Sequence, residues 1–119
     1  MTGDTPMDRP LEIDVQRRDD VAVMKISGSA TMAVTDELTN RLIATAEEPI
    51  RLMVIDLADV DFICSEGLGA IVSAHLKCIR RDGTVRLSGP NEAIRELLDL
   101  TKLSKLLAIY PTIDEAISN

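Results

Sequence analysis

The chain has 119 residues, of which 45% are hydrophobic, and its net charge is −7. This length suits a single domain with one core, and the acidic balance disfavours nucleic acid, whose phosphates would be repelled. Two distant cysteines and a single histidine do not make a metal site, and no apolar run reaches the roughly 18 residues that cross a bilayer. We therefore expect a cytoplasmic protein without a cofactor, a bound metal or an inserted membrane segment.

The first part of the chain predicts a leader and a β-hairpin. Residues 1–9 are polar and contain a proline, so we expect a flexible leader ahead of a single domain of residues 10–119. Apolar and polar residues alternate over 11–16, as in a half-buried strand, and the apolar segment 21–27 predicts its partner across a turn. Gly28 is expected to end that second strand.

The rest of the chain alternates between predicted helices and strands. Helical spacing predicts helices over 35–48 and 66–81, separated by a buried strand over 51–57 and a loop over 58–64. Further elements are a short strand within 82–90, a helix over 91–100 capped by Asn91, a strand over 106–110 and a helical turn within 112–119. The order β-β-α-β-α-β-α-β-α predicts an α/β fold, in which helices pack on a central mixed sheet of four to five strands.

The segment DFICSEGLGAIV, residues 61–72, has the most unusual local chemistry. Its G-x-G lacks the third glycine of a dinucleotide fingerprint, and I-C-S-E-G lacks the first glycine of the G-x-S-x-G nucleophile elbow. The only histidine, His75, lies about 15 Å further along the predicted helix, so neither Ser65 nor Cys64 has a base nearby. We expect His75 and Cys64 to be packed side chains.

Three aspartates, Asp56, Asp59 and Asp61, follow the buried strand. Such a cluster can form a metal or acid–base site, but no second cluster accompanies it, and aspartate is also a common turn residue. We interpret the three as solvated residues where the strand ends. The sequence therefore predicts a protein that is not an enzyme.

Ser65 stands at the start of a predicted helix, where serine is a good N-cap because its oxygen accepts a hydrogen bond from a free backbone N–H. Glu66 would complement the helix dipole. Capping does not explain Gly67 and Gly69, which each cost a helix up to about 1 kcal/mol relative to alanine. A low, smooth first turn favours a protein partner that reaches the serine.

The order of elements, the strand LMVIDLADVDFI, the SEGLG helix start and the segment GTVRLSGPNEAIRELLDLTKLSKLLAIYPTIDEAI together resemble a STAS domain. The resemblance covers residues 11–118 and is strongest to the small bacterial anti-sigma factor antagonists. It implies a STAS-type fold and a binding module in a partner-switching pathway. In that family an anti-sigma factor that is also a serine kinase phosphorylates the antagonist, and a serine phosphatase reverses the modification. The unphosphorylated form binds the kinase and frees the sigma factor.

The resemblance also implies the residues of a site. It places the phosphoacceptor on Ser65 and partner binding on the rest of the helix start and on the loop after the second strand: Cys64, Glu66, Gly67, Leu68, Gly69, Ser29 and Thr31. The family motif Asp-Ser-Ser-Gly-Leu-Gly is altered at two positions, where Cys64 replaces the aspartate and Glu66 the second serine. Between binding events we expect a monomer.

A second function stays open at this point. The chain could be a STAS scaffold that binds constitutively, for example as an accessory subunit of a transporter complex, with Ser65 acting only as a helix cap. The two altered motif positions favour this alternative. Replacing Ser65 by alanine separates the two, because a cap alone would lose about 1 kcal/mol of stability, whereas a phosphoacceptor would also lose regulation.

Overall fold

The computed structural model describes residues 9–119, so residues 1–8 of the expected leader lie outside the described residues. The strands are β1 (Glu12–Arg18), β2 (Val21–Ala30), β3 (Leu52–Ile63), β4 (Thr84–Ser88) and β5 (Ala108–Tyr110). The helices are α1 (Thr35–Ala46), α2 (Ser65–Ile79), α3 (Glu92–Leu100), α4 (Leu103–Leu106) and α5 (Ile113–Ser118), with a short 3₁₀ turn at Met32–Val34. The expected α/β order is confirmed, and the 3₁₀ turn and α4 are additions to it.

The five strands form one mixed sheet in the order β1-β2-β3-β4-β5. β1 and β2 are antiparallel and are joined by a tight turn, in which Asp19 has a φ of 56°. All later pairs are parallel. Parallel neighbours need a crossover connection, and a helix lies in each of the three connections between them.

Helices cover both faces of the sheet, but unequally. On one face, alternate residues of β2, β3 and β4 pack against α1, α2 and α3 in the main core, which includes Met24, Ile55, Leu87, Leu42, Ile71 and Leu98. On the other face, Val21, Val23, Leu52 and Val54 pack against Ala116 of α5 in a smaller cluster. The period-2 alternation of the strands therefore sends one set of side chains to each core.

β2 and β3 are longer than the sequence predicted, and this corrects two expectations. β2 continues through Gly28 to Ala30, and β3 continues to Ile63, where a loop over 58–64 was expected. The register advances from Lys25↔Asp56 to Ser27↔Asp59, and from Gly28↔Val60 to Ser29↔Phe62, so β3 holds one extra residue at each step. Two bulges therefore interrupt the alternation of β3, which is why this part of the sequence resembled a loop.

The segment before β1 runs alongside the end of β2 and approaches it closely at Gly28. This glycine has a φ of +88°, and a Cβ there would lie 2.0 Å from the carbonyl oxygen of Pro10. The adjacent Ser29 N–H donates to the carbonyl of Arg9 at 3.2 Å. The Arg9 guanidinium in turn pairs with Asp61 of β3 at 2.6 Å. The start of the described chain is therefore held against the carboxyl ends of β2 and β3.

Asn91 caps α3, as the sequence predicted. Its side-chain oxygen accepts from the Ile94 N–H at 2.8 Å, and its side-chain amide donates to the Val60 carbonyl at 3.1 Å. One residue therefore satisfies the helix start and also ties α3 to the bulged part of β3. Within residues 9–119, none of the helices has the length and apolar character needed to cross a membrane.

Candidate partner-binding site at the start of helix α2

The site lies where β2 and β3 end side by side. Ala30 and Ile63 are paired at the carboxyl ends of the two parallel strands, and the Cys64 N–H donates to the Ala30 carbonyl at 2.9 Å. Because α1 follows β2 and α2 follows β3, both helices begin at this edge of the sheet. The fold thus brings the helix start at residues 64–69 next to the segment that follows β2.

Ser65 is not the N-cap of α2, which corrects the capping interpretation. Cys64 occupies that position, with extended backbone angles of φ −82° and ψ 170°. Ser65 is the first helical residue, one place too late for its hydroxyl to reach the free N–H groups of the first turn. Its side chain is exposed, and within residues 9–119 its hydroxyl makes no hydrogen bond. Glu66, also exposed, is the second helical residue rather than the first.

Cys64 is packed, as expected, and joins the two helix starts. It is 9% exposed, and its Sγ lies 3.4 Å from Oγ1 of Thr35, the first residue of α1. The Thr35 hydroxyl donates its only proton to the Thr31 carbonyl at 3.0 Å, so the thiol is the donor in the contact between the two side chains. Cys64 therefore fixes α2 against α1 and offers little surface to a partner.

The two glycines of the helix start have different surroundings. Gly67 is buried, and a Cβ there would lie 2.8 Å from Ile63 Cγ1 and 3.5 Å from Leu38 Cδ2. Gly69 is exposed, and a Cβ there would meet nothing within 4 Å. Leu68, between them, is only 7% exposed and belongs to the core. Gly67 is thus needed for close packing of α2, and Gly69 alone forms the smooth surface expected of both.

The residues predicted to bind a partner after β2 also differ in their exposure. Ser29 lies within β2 and is 2% exposed, and Thr31 is half-buried. Met32, which was not among the residues predicted from the sequence, is 70% exposed. One signal in the sequence could have identified Met32 as a binding residue. It is an apolar residue between a strand and an acidic helix start, and methionine adapts to varied binding partners. Ser65, Glu66 and Gly69 of the α2 start and Met32 after β2 are therefore exposed at this edge of the sheet.

The electrostatics of this edge combine helix dipoles with fixed carboxylates. The positive ends of the α1 and α2 dipoles both point here. Asp36 and Glu37 in the first turn of α1, and Glu66 in the first turn of α2, place negative charge against them. The helix ends can therefore hold anionic groups, and three such groups are permanently present.

His75 and Cys78 lie in the buried stripe of α2, further from the sheet edge. His75 is 5% exposed, and its Nδ1 has no hydrogen-bond partner among residues 9–119. Burial lowers the pKa of His75. Burial also raises the pKa of the Cys78 thiol, against the opposing effect of Arg81. His75 is about 15 Å along the helix from Ser65, so it is not placed to activate the serine.

The three aspartates lie within β3 rather than in a turn, and they do not act as one group. Asp56 accepts a hydrogen bond from the buried Ser88 hydroxyl at 2.9 Å, Asp61 pairs with Arg9, and Asp59 is exposed. The bulges of β3 explain this separation, since they change the direction of successive side chains. Among residues 9–119, no three histidine, cysteine or acidic side chains come together as a metal site would require.

Comparison with known proteins gives a consistent result. Residues 12–116 match the model of the STAS domain family. An anti-sigma-B factor antagonist of Staphylococcus epidermidis is 27% identical over 99 residues, which are 83% of this chain and 92% of that protein. A protein of Thermotoga maritima is 40% identical over 60 residues; these are 50% of this chain and span only 53% of that relative.

Solved structures share the fold over most of the chain. The crystal structure of an anti-sigma factor antagonist from Mycobacterium paratuberculosis has a TM-score of 0.84 and 28% identity, and covers 92% of each chain. A sulfate transporter family protein from Wolinella succinogenes has a TM-score of 0.72 over 85% of this chain and 84% of its own, but at 21% identity the likeness concerns the fold alone. The family match runs from β1 to α5, so the resemblance seen in the sequence is confirmed and the chain belongs to the STAS domain family.

Proposed function

We propose that this chain is an anti-sigma factor antagonist that acts in the cytoplasm as a phosphorylation-controlled binding module, with Ser65 as the phosphoacceptor. The observation that carries the proposal is the state of the Ser65 hydroxyl, which is exposed and makes no hydrogen bond within residues 9–119. A capping serine would have its oxygen engaged with the backbone. A serine that leaves its hydroxyl free at a helix start is suited to modification instead.

A phosphate on Ser65 is compatible with the fold. It would add about −1.5 to −2 charges at the positive end of the α2 dipole, where anions are favoured. Glu66 opposes this, since a carboxylate about 6 Å away repels each unit of charge by roughly 0.7–1.4 kcal/mol at a surface-like dielectric. The two effects are of similar size, so phosphorylation would change the surface without unfolding the helix.

The same change would control a partner. Ser65, Glu66, Gly69 and Met32 supply small, acidic and apolar groups, all exposed, at the same edge of the sheet. A partner that packs on the first turn of α2 would cover the Ser65 hydroxyl, and a covered phosphate would lose its hydration and meet the like charge of Glu66. We therefore propose that the unphosphorylated form binds an anti-sigma factor with serine kinase activity, and that a serine phosphatase restores this form. The chain itself carries out no catalysis in this proposal.

The alternative, a constitutive scaffold in a transporter complex, rests on Ser65 being only a helix cap. Cys64 occupies the cap position, which removes that role from the serine. The likeness to the sulfate transporter family protein is to the fold alone, so the phosphorylation-controlled antagonist is the better supported function.

The first experiment is the intact mass of the protein purified from its native cells, with the modified residue located by fragmentation. We expect a fraction of molecules with one phosphoryl group on Ser65, changing with growth and stress conditions. Ser73, exposed on the same helix, supplies the matched control. Ser65→Ala should abolish the modification and make partner binding constitutive. Ser73→Ala should change neither the phosphorylation nor the partner binding. Phosphate on another residue, or none under any condition, would contradict the proposal.

A further inference from the structure

The exposed side of α2 continues as an apolar stripe beyond the Ser65 site. Ser65, Gly69, Val72, Leu76 and Ile79 recur at intervals of four and three residues, which places them along one line of the helix. Leu76 and Ile79 are 47% and 48% exposed, whereas apolar residues of the other side of the helix are buried. Leu76 and Ile79 are therefore apolar groups that this side of α2 leaves available to a partner.

Two opposite charges stand at the ends of this stripe. Glu66 lies in the first turn of α2, and Arg80 follows its last residue. Within residues 9–119, neither side chain forms an ion pair, in contrast to Lys77, which pairs at 3.4 Å with Glu47, the residue directly after α1. Glu66 and Arg80 are fourteen positions apart, which corresponds to a rise of about 21 Å along the helix. The two charges therefore cannot neutralise each other within one molecule.

We propose that a second copy of this chain docks antiparallel along α2. A two-fold axis that passes between the two helices, level with Val72 and Ser73, would place Glu66 of each copy opposite Arg80 of the other. The same operation places Leu76 opposite Gly69. An isologous interface requires this self-complementarity, in which each patch meets its own counterpart.

Gly69 provides room for the opposing leucine. Its missing side chain leaves a notch with nothing within 4 Å of a Cβ position, and helices pack by inserting the side chains of one into the grooves of the other. Because the two-fold axis brings equivalent sides of α2 together, Val72 and Ile79 of both copies would add apolar contact along one edge. α1 lies along the other edge, where Glu47 holds Lys77.

The association is expected to be weak. One helix face is small beside the roughly 1,200 Å² that specific interfaces usually bury, and two chains of net charge −7 repel each other at long range. The dimer therefore forms only as concentration rises, which departs from the monomer expected from the sequence. The proposal rests on the geometry of α2 and is independent of phosphorylation, although the dimer would cover Ser65.

Sedimentation velocity from micromolar to millimolar protein, at physiological salt, tests the proposal. The wild type should pass from monomer to dimer within this range. Glu66→Arg and Arg80→Glu should each raise the dissociation constant by about tenfold, because each creates two like-charge contacts per dimer. The double variant, and an equimolar mixture of the two single variants, should restore association because both arrangements rebuild the opposite-charge pairs.

Arg18→Glu is the matched control, since Arg18 is an exposed arginine at the end of β1, away from α2. It makes the same charge change and should leave the dissociation constant unchanged, and circular dichroism confirms that each variant is folded. A wild type that stays monomeric at millimolar concentration would overturn the proposal. So would an Arg80→Glu effect no larger than that of Arg18→Glu, or a mixture that fails to associate.

Discussion

At the scale of single residues, the start of α2 shows how one position changes the role of a serine. Cys64 has the extended backbone of a cap, and Ser65 is already helical. Asn91 has the equivalent place before α3, but there the side chain accepts a hydrogen bond from the Ile94 N–H. The start of α2 therefore has no side-chain cap, whereas the start of α3 has one.

We predict that Ser65→Ala changes the free energy of unfolding by less than about 0.5 kcal/mol, because no hydrogen bond of that hydroxyl is lost. Asn91→Ala should lower it by about 0.5–2 kcal/mol, since it removes the cap and the bond to the Val60 carbonyl. Urea unfolding of both variants measures the difference. A loss at Ser65 as large as that at Asn91 would show that Ser65 is a structural cap after all.

The glycine pair gives a second prediction at this scale. Gly69→Ala should raise the free energy of unfolding by up to about 1 kcal/mol, because alanine favours the helix and open space receives the methyl group. Gly67→Ala should lower it by about 1–3 kcal/mol, since its methyl group would lie 2.8 Å from Ile63 Cγ1. Urea unfolding of the two variants supplies the test, and equal effects of either sign would refute the distinction.

At the scale of elements, the sequence predicted the long helices well and the strand ends poorly. Helices α1, α2 and α3 begin and end within two residues of the predicted bounds, because their apolar spacing is regular. The ends of β2 and β3 were missed because bulges and polar residues break the alternation that identifies a strand.

The same limit applies to the site. The sequence located the start of α2, but the burial of Ser29 and the exposure of Met32 depend on how β2 pairs with β3. A one-residue shift of register reverses which side of the sheet a residue faces. Local sequence cannot supply that information, nor could it place Cys64 rather than Ser65 at the cap.

The close approach of Arg9 and Pro10 to the end of β2 leads to a prediction for this element. Gly28→Ala should lower the free energy of unfolding by about 1–3 kcal/mol, because its φ is positive and its Cβ would lie 2.0 Å from the Pro10 carbonyl oxygen. Hydrogen exchange should also quicken at the Ser29 amide, which donates to Arg9. Unchanged stability together with unchanged exchange would mean that the close approach is not required.

At the scale of the whole molecule, stability should depend on pH through His75. Burial lowers its pKa from the ordinary 6.5, so near and below pH 6.5 the unfolded chain binds more protons than the folded one. Stability is then unaffected by this group above about pH 6.5 and falls as the pH drops from there towards the lowered folded pKa. Protonation of the buried imidazole thus favours unfolding.

We predict that His75→Leu removes the part of the pH dependence of stability that the histidine causes. Urea unfolding between about pH 7.5 and pH 5.5 should show a smaller fall in the free energy of unfolding for the variant than for the wild type. The carboxylates titrate in both proteins, so the comparison isolates the histidine. Parallel pH profiles would show that His75 is solvated in the folded protein.

The order of the strands in the sheet has a consequence for the synthesis and folding of the chain on the ribosome. Each strand lies beside the one that precedes it in the sequence, so every new strand finds its docking edge already made. Each new pairing then closes a loop of a single crossover, and a shorter loop costs less entropy to close. The edge that carries Ser65 is formed by residues of β2, β3, α1 and α2, all of which precede β4 in the sequence. The residues of the binding surface are therefore all synthesised before the last third of the chain.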